Sequence, residues 1–408
     1  MSGKEIVETK QKLGVYEESD PLKRVLMWGP PGPEAVIAQV LPEKISCFLQ
    51  SFDVTAAIGE YLRAESLLRD SGVEVISVKK LLAEQIRDEK TEPKLNRQEL
   101  KKAIVAKTEK LYKEYESDGA KKEDMTQLDS VGIMLEQDIE SLGEREALVI
   151  NEILSLSTRL PMANVLYARD QSNLAGSTFI LSSMRHEIRQ PEVKLYNSAL
   201  KHSGILGNGG VRTIVQVSES GKFEGGDGIP FMGSYYIGLG GRSDWEGIKQ
   251  IAPVILANGI EKIVVARDRE RSSGKANEMD AMHLDTIWMP SGADEVVACM
   301  QEVERRQVFE ITLDKNGGLR VQPLGSFEDY MSKNKIKIVP ITKDEQDHFA
   351  PNFLNLGNNH IILSLEEGST LSKRLGESGK RVETADLINI TKGYGGLHCM
   401  TAPIERGE

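Results

Sequence analysis

Positive charge is in short supply: 51 Lys and Arg stand against 62 Asp and Glu over 408 residues, a formal net charge of −11. A nucleic-acid binder needs the opposite surplus to displace counterions from phosphate, so no nucleic-acid partner is expected. Docking on an anionic membrane is disfavoured for the same reason. Long apolar runs are missing too. No stretch approaches the ~18 continuous apolar residues of a membrane helix, and the opening MSGKEIVETKQK lacks the apolar core of a secretory signal. Cysteine is scarce: Cys47, Cys299 and Cys399 are far apart and odd in number, which implies neither a disulfide framework nor a Cys-rich zinc module. The expectation is a reduced, cytoplasmic chain. What is present suffices for a real core, with 39% hydrophobic and 28% charged residues, too apolar for a disordered chain.

After a polar leader, LKRVLM at 22–27 reads as a buried strand stopped by Gly29-Pro30-Pro31-Gly32. A helical pattern over 56–71 and a strand VEVISV at 73–78 complete a strand–helix–strand rhythm that points to an α/β protein. The rhythm then stops. Residues 79–157 carry no convincing strand, only charged helical stretches such as Arg97 to Tyr115 and Glu144 to Ser155, broken by SDGAKKED at 117–124. Charge-rich runs are usually solvated helix faces. Apolar residues at helical spacing (Ile133, Leu135, Ile139, Leu142) nevertheless suggest a small helical subdomain inserted into one α/β domain formed by 1–78 and 158–408. Strands are expected again at 164–168 (NVLYA), 177–182, 212–218, 234–240, 262–266, 285–289 (DTIWM), 308–313, 337–341 and 360–365, with helices over Trp245 to Ile251 and Ala293 to Val303. A set of sheets repeated around a centre is one architecture that fits, although no internal sequence repeat is visible.

Four segments set reactive side chains at strand ends or beside glycine: NVLYARD at 164–170, FEGGDG at 223–228, HLDT at 283–286 and GGLHCM at 395–400. Taken singly, each has a bland reading. A lone cysteine such as Cys399 is usually an inert small hydrophobe. A lone His283 is as often a satisfied core or surface residue, the EGGD around Glu224 and Asp227 is usually a turn, and Asp170 suits a strand end. Together they have a direction: one thiol, one imidazole and four carboxylates (Asp170, Glu224, Asp227, Asp285), with no hydroxyl triad, phosphate loop or strand–GxGxxG–helix unit. His398 offers a positive charge that would lower the Cys399 thiol pKa. Metal-ligand spacing is not recognisable, and no metal or organic cofactor is expected. Carboxylates converging on one pocket imply a cationic substrate, and a planar guanidinium matches bidentate carboxylates best. A thiolate beside it would attack the central carbon.

PMANVLYARD, FEGGDG, MHLDT and GG-x-x-C, in this order and from LKRVLMWGP to GGLHCMTAPIER, resemble the guanidino-group-modifying superfamily, most closely the arginine deiminases. The resemblance implies a five-bladed α/β propeller of pseudo-fivefold ββαβ units with an inserted helical subdomain, and a hydrolase that converts L-arginine to L-citrulline and ammonia. It implies Cys399 as nucleophile, His283 as acid and then base, Glu224 as the partner that orients His283, and Asp170 and Asp285 as the guanidinium clamp. Asp227 would be a further pocket carboxylate. Asn164, Arg189 and Arg242 would hold the amino-acid end of the substrate, the arginines on its α-carboxylate. A homo-oligomer is expected.

Three positions depart from the family pattern. Tyr394 stands where the deiminases carry an arginine five residues before the cysteine, His398 replaces the arginine immediately before it, and Gln171 replaces a proline. A His-Cys pair after glycines resembles instead the amidinotransferases, which pass the amidino group to an amine. An amidinotransferase, or a hydrolase of another guanidino compound, is therefore the alternative reading.

Overall fold

The computed structural model of the chain describes residues 14–89, 95–120, 122–154, 162–207, 211, 213–274 and 281–407. One scheme recurs: two antiparallel strands, a helix, then a strand parallel to the second. β1 (Leu22–Met27) and β2 (Glu74–Ser77) pair in parallel across the helix Val54–Asp70. β3 (Ser172–Ala175) runs antiparallel to β4 (Thr178–Leu181), and β5 (Thr213–Gln216) returns parallel to β4 after the helix Gln190–His202. β6 (Gly228–Phe231), β7 (Ser234–Leu239), the helix Trp245–Ala257 and β8 (Lys262–Asp268) repeat the scheme. β9 (Trp288–Pro290) and β10 (Glu295–Cys299) begin it again, and a hairpin of β11 (Arg306–Leu313) and β12 (Leu319–Ser326) interrupts them to extend the sheet of β8. β13 (Lys337–Ile341) then pairs in parallel with β10. The last full unit is β14 (Leu354–Gly357), β15 (His360–Leu363), the helix Thr370–Glu377 and β16 (Arg381–Thr384). β17 (Ala402–Arg406) closes antiparallel on β1, so one sheet joins the two ends of the chain. Five sheets result among the described residues.

Burial on both faces explains why β4 (TFIL) and β7 (SYYIGL) read as continuous apolar runs rather than alternating ones. Aromatic side chains bridge neighbouring sheets: Tyr236 of β7 stacks on Trp288 of β9 with ring centroids 4.9 Å apart, and Phe231 of β6 meets Trp288 edge-on at 5.4 Å.

Between β2 and β3 the described residues are helical or irregular and contain no strand. The longer helices are Val78–Asp88, Arg97–Tyr115, Val131–Leu142 and Glu144–Glu152. Arg97–Tyr115 begins where sequence predicts because Asn96 and Glu99 form a capping box. In Val131–Leu142 the buried residues are Val131, Met134, Leu135 and Asp138, an i, i+3, i+4, i+7 face, and Ile133 lies outside it at 56% exposure. Asp138 and the buried Lys79 pair at 2.5 Å and tie two of these helices together. No helix among the described residues is long and apolar enough to cross a membrane.

Several expectations are corrected. NVLYA is not a strand: Ala163–Leu166 forms a 3-10 turn and Ala168–Gln171 a short helix, buried almost throughout, and an all-round apolar run carries no period to distinguish the two. DTIWM is a strand only from Trp288; Leu284–Thr286 is a 3-10 turn. The helix expected over Ala293 to Val303 begins at Met300, because Glu295–Cys299 is the central strand of its sheet, with β-branched Val296 and Val297 buried. β3, β6, β10, β12, β14, β16 and β17 were not anticipated. The expected spans at Ser155 to Ser157 and Arg212 lie outside the described residues.

Candidate active site

Cys399 is buried in the short helix Leu397–Met400, which follows Gly395 and Gly396 directly. Glycine is required at 396, because a Cβ there would lie 2.4 Å from Ser364 Oγ. The loop hangs on Asn352, just before β14. Asn352 Oδ1 accepts from the backbone N–H of Gly396 (2.9 Å) and of Cys399 (3.0 Å), and its Nδ2 donates to Cys399 Sγ at 3.1 Å. Ser364 Oγ donates to the Asn352 carbonyl (2.7 Å) and accepts from Leu397 N–H (2.8 Å). Burial, together with the charges of Asp285 and Asp170, pushes the thiol well above its ordinary pKa.

His283 and Asp285 come from the turn between β8 and β9, not from an extended segment. His283 Nε2 meets Glu224 Oε2 at 2.9 Å, and its Nδ1 lies 3.7 Å from Asp170 Oδ1. Gly226 has to be glycine here, since a Cβ would sit 2.8 Å from His283 Nδ1. Burial alone would lower the imidazole pKa. The carboxylates of Asp170, Glu224 and Asp227 outweigh it and lift the value to about 9. Burial likewise opposes ionisation of Glu224, yet Arg242, His283 and Arg189 hold its carboxyl well below the usual range. Asp285 also stays low against burial, through His398, His283 and Arg169.

Asp170, on the short helix before β3, receives Arg189 Nη1 on Oδ2 at 2.7 Å. Arg189 is fully engaged: Glu192 Oε2 at 3.1 Å, the Asn164 carbonyl at 3.2 Å and, more distantly, Glu224 at 3.9 Å. Arg242 Nη1 lies 3.4 Å from the same Glu224 oxygen. Both arginines thus sit beside His283, each on a carboxylate. Asn164 spends its side-chain amide on the Ser46 carbonyl (2.6 Å). Asp227 uses both oxygens as a brace, Oδ1 on Leu284 N–H (3.0 Å) and Oδ2 on Ser243 Oγ (2.6 Å), which fixes the turn that carries His283. Burial raises the carboxyls of Asp227 and Glu192 to about 7.

The site therefore unites Cys399, His283, Glu224, Asp170 and Asp285, with Asp227 one layer behind. Three buried polar atoms in it have no hydrogen-bond partner among the described residues: Asp170 Oδ1, Asp285 Oδ1 and His283 Nδ1. Two carboxylate acceptors close to a thiol form a receptor for a flat polar cation. Asp170, Glu224 and His283 also offer ligand atoms within 4.8 Å of one another, a spacing that would suit a metal, but Arg189 already brings a cation to those carboxylates.

His398 does not act as sequence suggests. Its Nδ1 is 2.7 Å from Asp285 Oδ2, and the thiol pKa is raised rather than lowered. Tyr394, at φ +67°, faces Phe349 with ring centroids 6.4 Å apart. Both line a cavity of about 160 Å³ with Leu49, Ala281, Met282 and Thr286, beside the turn that carries Asp285. Sequence reasoning missed Asn352, Ser364, Ser243, Glu192 and Glu18. The only available signal for Asn352 was a polar residue between Pro351 and Phe353, which any turn would give.

A sequence model of the family described as arginine deiminase matches residues 48–406. An arginine deiminase of Streptococcus gordonii is 23% identical over 423 residues, covering 97% of this chain and 98% of the relative. One of Listeria welshimeri is 22% identical over 359 residues, covering 83% and 85%. Among solved structures, the N-terminal domain of ArgZ, an arginine dihydrolase from cyanobacteria, is similar with a TM-score of 0.55 at 15% identity, covering 95% of this chain and 99% of the other. Dimethylarginine dimethylaminohydrolase of Pseudomonas aeruginosa, complexed with citrulline, is similar with a TM-score of 0.54 at 13% identity, covering 94% and 99%. These structural likenesses speak for the mixed α/β fold.

Proposed function

The chain belongs to the arginine deiminase family, and from that membership we propose that it hydrolyses L-arginine to L-citrulline and ammonia through a covalent amidino-cysteine. The observation that carries the reading is a pair of carboxylate oxygens without a hydrogen bond among the described residues, Asp170 Oδ1 and Asp285 Oδ1, with Asp285 Oδ2 3.6 Å from the Cys399 thiol and His283 Nδ1 3.7 Å from Asp170 Oδ1. In this reading the two carboxylates take N–H groups of the guanidinium and fix its plane against Sγ, with Asn352 Nδ2 as donor to the sulfur. Burial first, and then the charges of Asp285 and Asp170, hold the free thiol protonated; a bound cation offsets the carboxylates' part, so the substrate itself promotes loss of the thiol proton to solvent.

The thiolate then bonds to the guanidinium carbon. His283, an imidazolium near neutral pH, gives a proton to the departing nitrogen, the C–N bond breaks and ammonia leaves. The neutral imidazole takes a proton from water as its oxygen attacks the amidino carbon. Collapse breaks the C–S bond, releases citrulline and returns the thiolate, and the remaining proton ends on ammonia as ammonium. Glu224 stabilises the imidazolium through the 2.9 Å bond to Nε2.

We further read the five sheets as the blades of one five-bladed propeller formed by 1–78 and 158–408, with 79–157 as an inserted helical subdomain. The repeated antiparallel–parallel strand order and the closure of β17 on β1 support this reading.

The test is incubation with L-arginine alone, then with glycine added, with products identified by mass spectrometry. Citrulline and ammonia without an acceptor are expected. Ornithine that forms only with glycine would make the chain an amidinotransferase.

A further inference from the structure

His398 lies between two buried carboxylates contributed by distant parts of the chain. On one side its Nδ1 bonds Asp285 Oδ2 at 2.7 Å. On the other its Nε2 lies 3.7 Å from Oε1 of Glu18, a residue of the segment leading into β1. Glu18 is itself anchored: Arg406 Nη2 of β17 binds the same oxygen at 2.5 Å, and Arg169 Nη2 approaches it to 3.9 Å. His398, Glu18 and Asp285 are all completely buried.

The Asp285 carboxylate has few tethers. Oδ2 takes His398 and, at a longer 3.6 Å, Cys399 Sγ; Oδ1 has no hydrogen-bond partner among the described residues. The imidazole is thus the one short bond on that carboxylate. A side chain held by a single short bond takes its orientation from that bond, and Oδ1 can face a guanidinium only while Oδ2 is held back.

We propose that His398 is a positioning residue for arginine recognition: it holds Asp285 by Oδ2 so that Oδ1 is presented to the guanidinium, while Glu18, pinned by Arg406 and Arg169, faces the imidazole Nε2 at 3.7 Å without a hydrogen bond. The inference rests on the reading that Asp285 contacts the substrate. The charges behind the clamp thereby extend to Arg406 of β17 and to Glu18 in the segment before β1. The nucleophile and the residue that holds one arm of the clamp also share a short helix, since His398 and Cys399 are adjacent.

The experiment compares His398→Asn and His398→Gln with the unaltered enzyme, measuring kcat and KM for L-arginine and the thermal unfolding midpoint. Asparagine sets an amide donor near the place of Nδ1, whereas glutamine carries it one methylene farther, towards Glu18. His398→Asn is expected to keep KM within about threefold. His398→Gln should raise KM about tenfold or more with kcat changed far less, the mark of lost ground-state binding. Equal KM effects in the two variants would overturn the proposal, as would no effect in either. Asp285→Asn separates the two layers of the claim. If it raises KM while both His398 variants match the unaltered enzyme, the positioning role alone fails. If it leaves KM unchanged, Asp285 does not bind the guanidinium and both fail.

Discussion

Two buried ionic clusters in this chain differ in whether their hydrogen bonds close. At the ends of β8 and β11, Asp268 and Glu302 face Arg271 and Arg306. Asp268 Oδ2 has Arg271 at 2.6 Å and Arg306 at 3.4 Å, and Glu302 Oε2 has Arg271 at 2.9 Å and Arg306 at 3.2 Å. Asp268 Oδ1 takes the backbone N–H of Glu270 and Arg271, and Glu302 Oε1 takes Arg305 at 3.1 Å. Every carboxylate oxygen there is bonded. Around Cys399, by contrast, Asp170 Oδ1, Asp285 Oδ1 and His283 Nδ1 have no hydrogen bond among the described residues, although His283 Nδ1 and Asp170 Oδ1 face each other at 3.7 Å. Each unmade buried hydrogen bond costs about 1–3 kcal/mol, so a closed set serves the fold and an open set carries a cost that a ligand can relieve. Buried atoms without a hydrogen bond among the described residues also occur elsewhere, at Glu34 and Asn151 for example; what sets the site apart is that they lie on carboxylates beside a thiol and an imidazole.

The comparison can be broken most severely at the nucleophile. Cys399→Ala should reduce kcat by about 10⁴-fold or more while the unfolding midpoint stays near that of the unaltered enzyme, as measured by citrulline formation and calorimetry. Restored turnover at the normal rate would remove the covalent mechanism. Next, Glu224→Gln weakens the support of the imidazolium and should lower kcat about 10²–10⁴-fold; a change confined to KM would contradict the acid–base role of His283. Asp170→Asn should cost about 10–10³-fold in kcat/KM, through weaker guanidinium binding. At the closed cluster the pattern reverses: Glu302→Ala should leave kcat/KM within about twofold and destabilise the fold by about 3 kcal/mol, because it strands buried arginines. Chemical denaturation of the two variants side by side separates the classes.

The smallest expected effect is a pH dependence. His283 has an ordinary pKa of about 6.5 and a value of about 9 in the fold. A raised pKa contributes stability that is fully present below about pH 6.5 and is lost as pH rises through about 9. The stability advantage of the unaltered enzyme over His283→Gln should therefore shrink across that window. Denaturation midpoints at pH 6, 7.5 and 9 check this, and a constant difference would mean that the imidazole is not charged in the fold.

The same contrast explains what could be read from sequence. β1, β4, β7, β8, β11, β13 and β15 were legible because apolar, β-branched runs ended at turn residues. β12 and β16 escaped because they are short on apolar residues and only partly buried, and β14 (LNLG) because half its residues are asparagine or glycine. In the site, the reactive atoms were legible from residue type: a thiol, an imidazole and carboxylates beside glycine. The atoms that aim them were not. Asn352 acts through three bonds to a loop some forty residues away in sequence, and Glu18 lies in a polar leader that gave no sign of burial. The role of His398 was misjudged because adjacency to Cys399 in sequence suggested a contact with sulfur, whereas its Nδ1 is spent on Asp285.

The most direct test of the central claim is to quench the enzyme rapidly with L-arginine and digest it for peptide mass spectrometry. The account predicts an adduct with the mass of arginine less ammonia on the peptide that contains Cys399, disappearing as citrulline accumulates. Citrulline formed without any adduct, or an adduct on the buried thiols of Cys47 or Cys299, would contradict it.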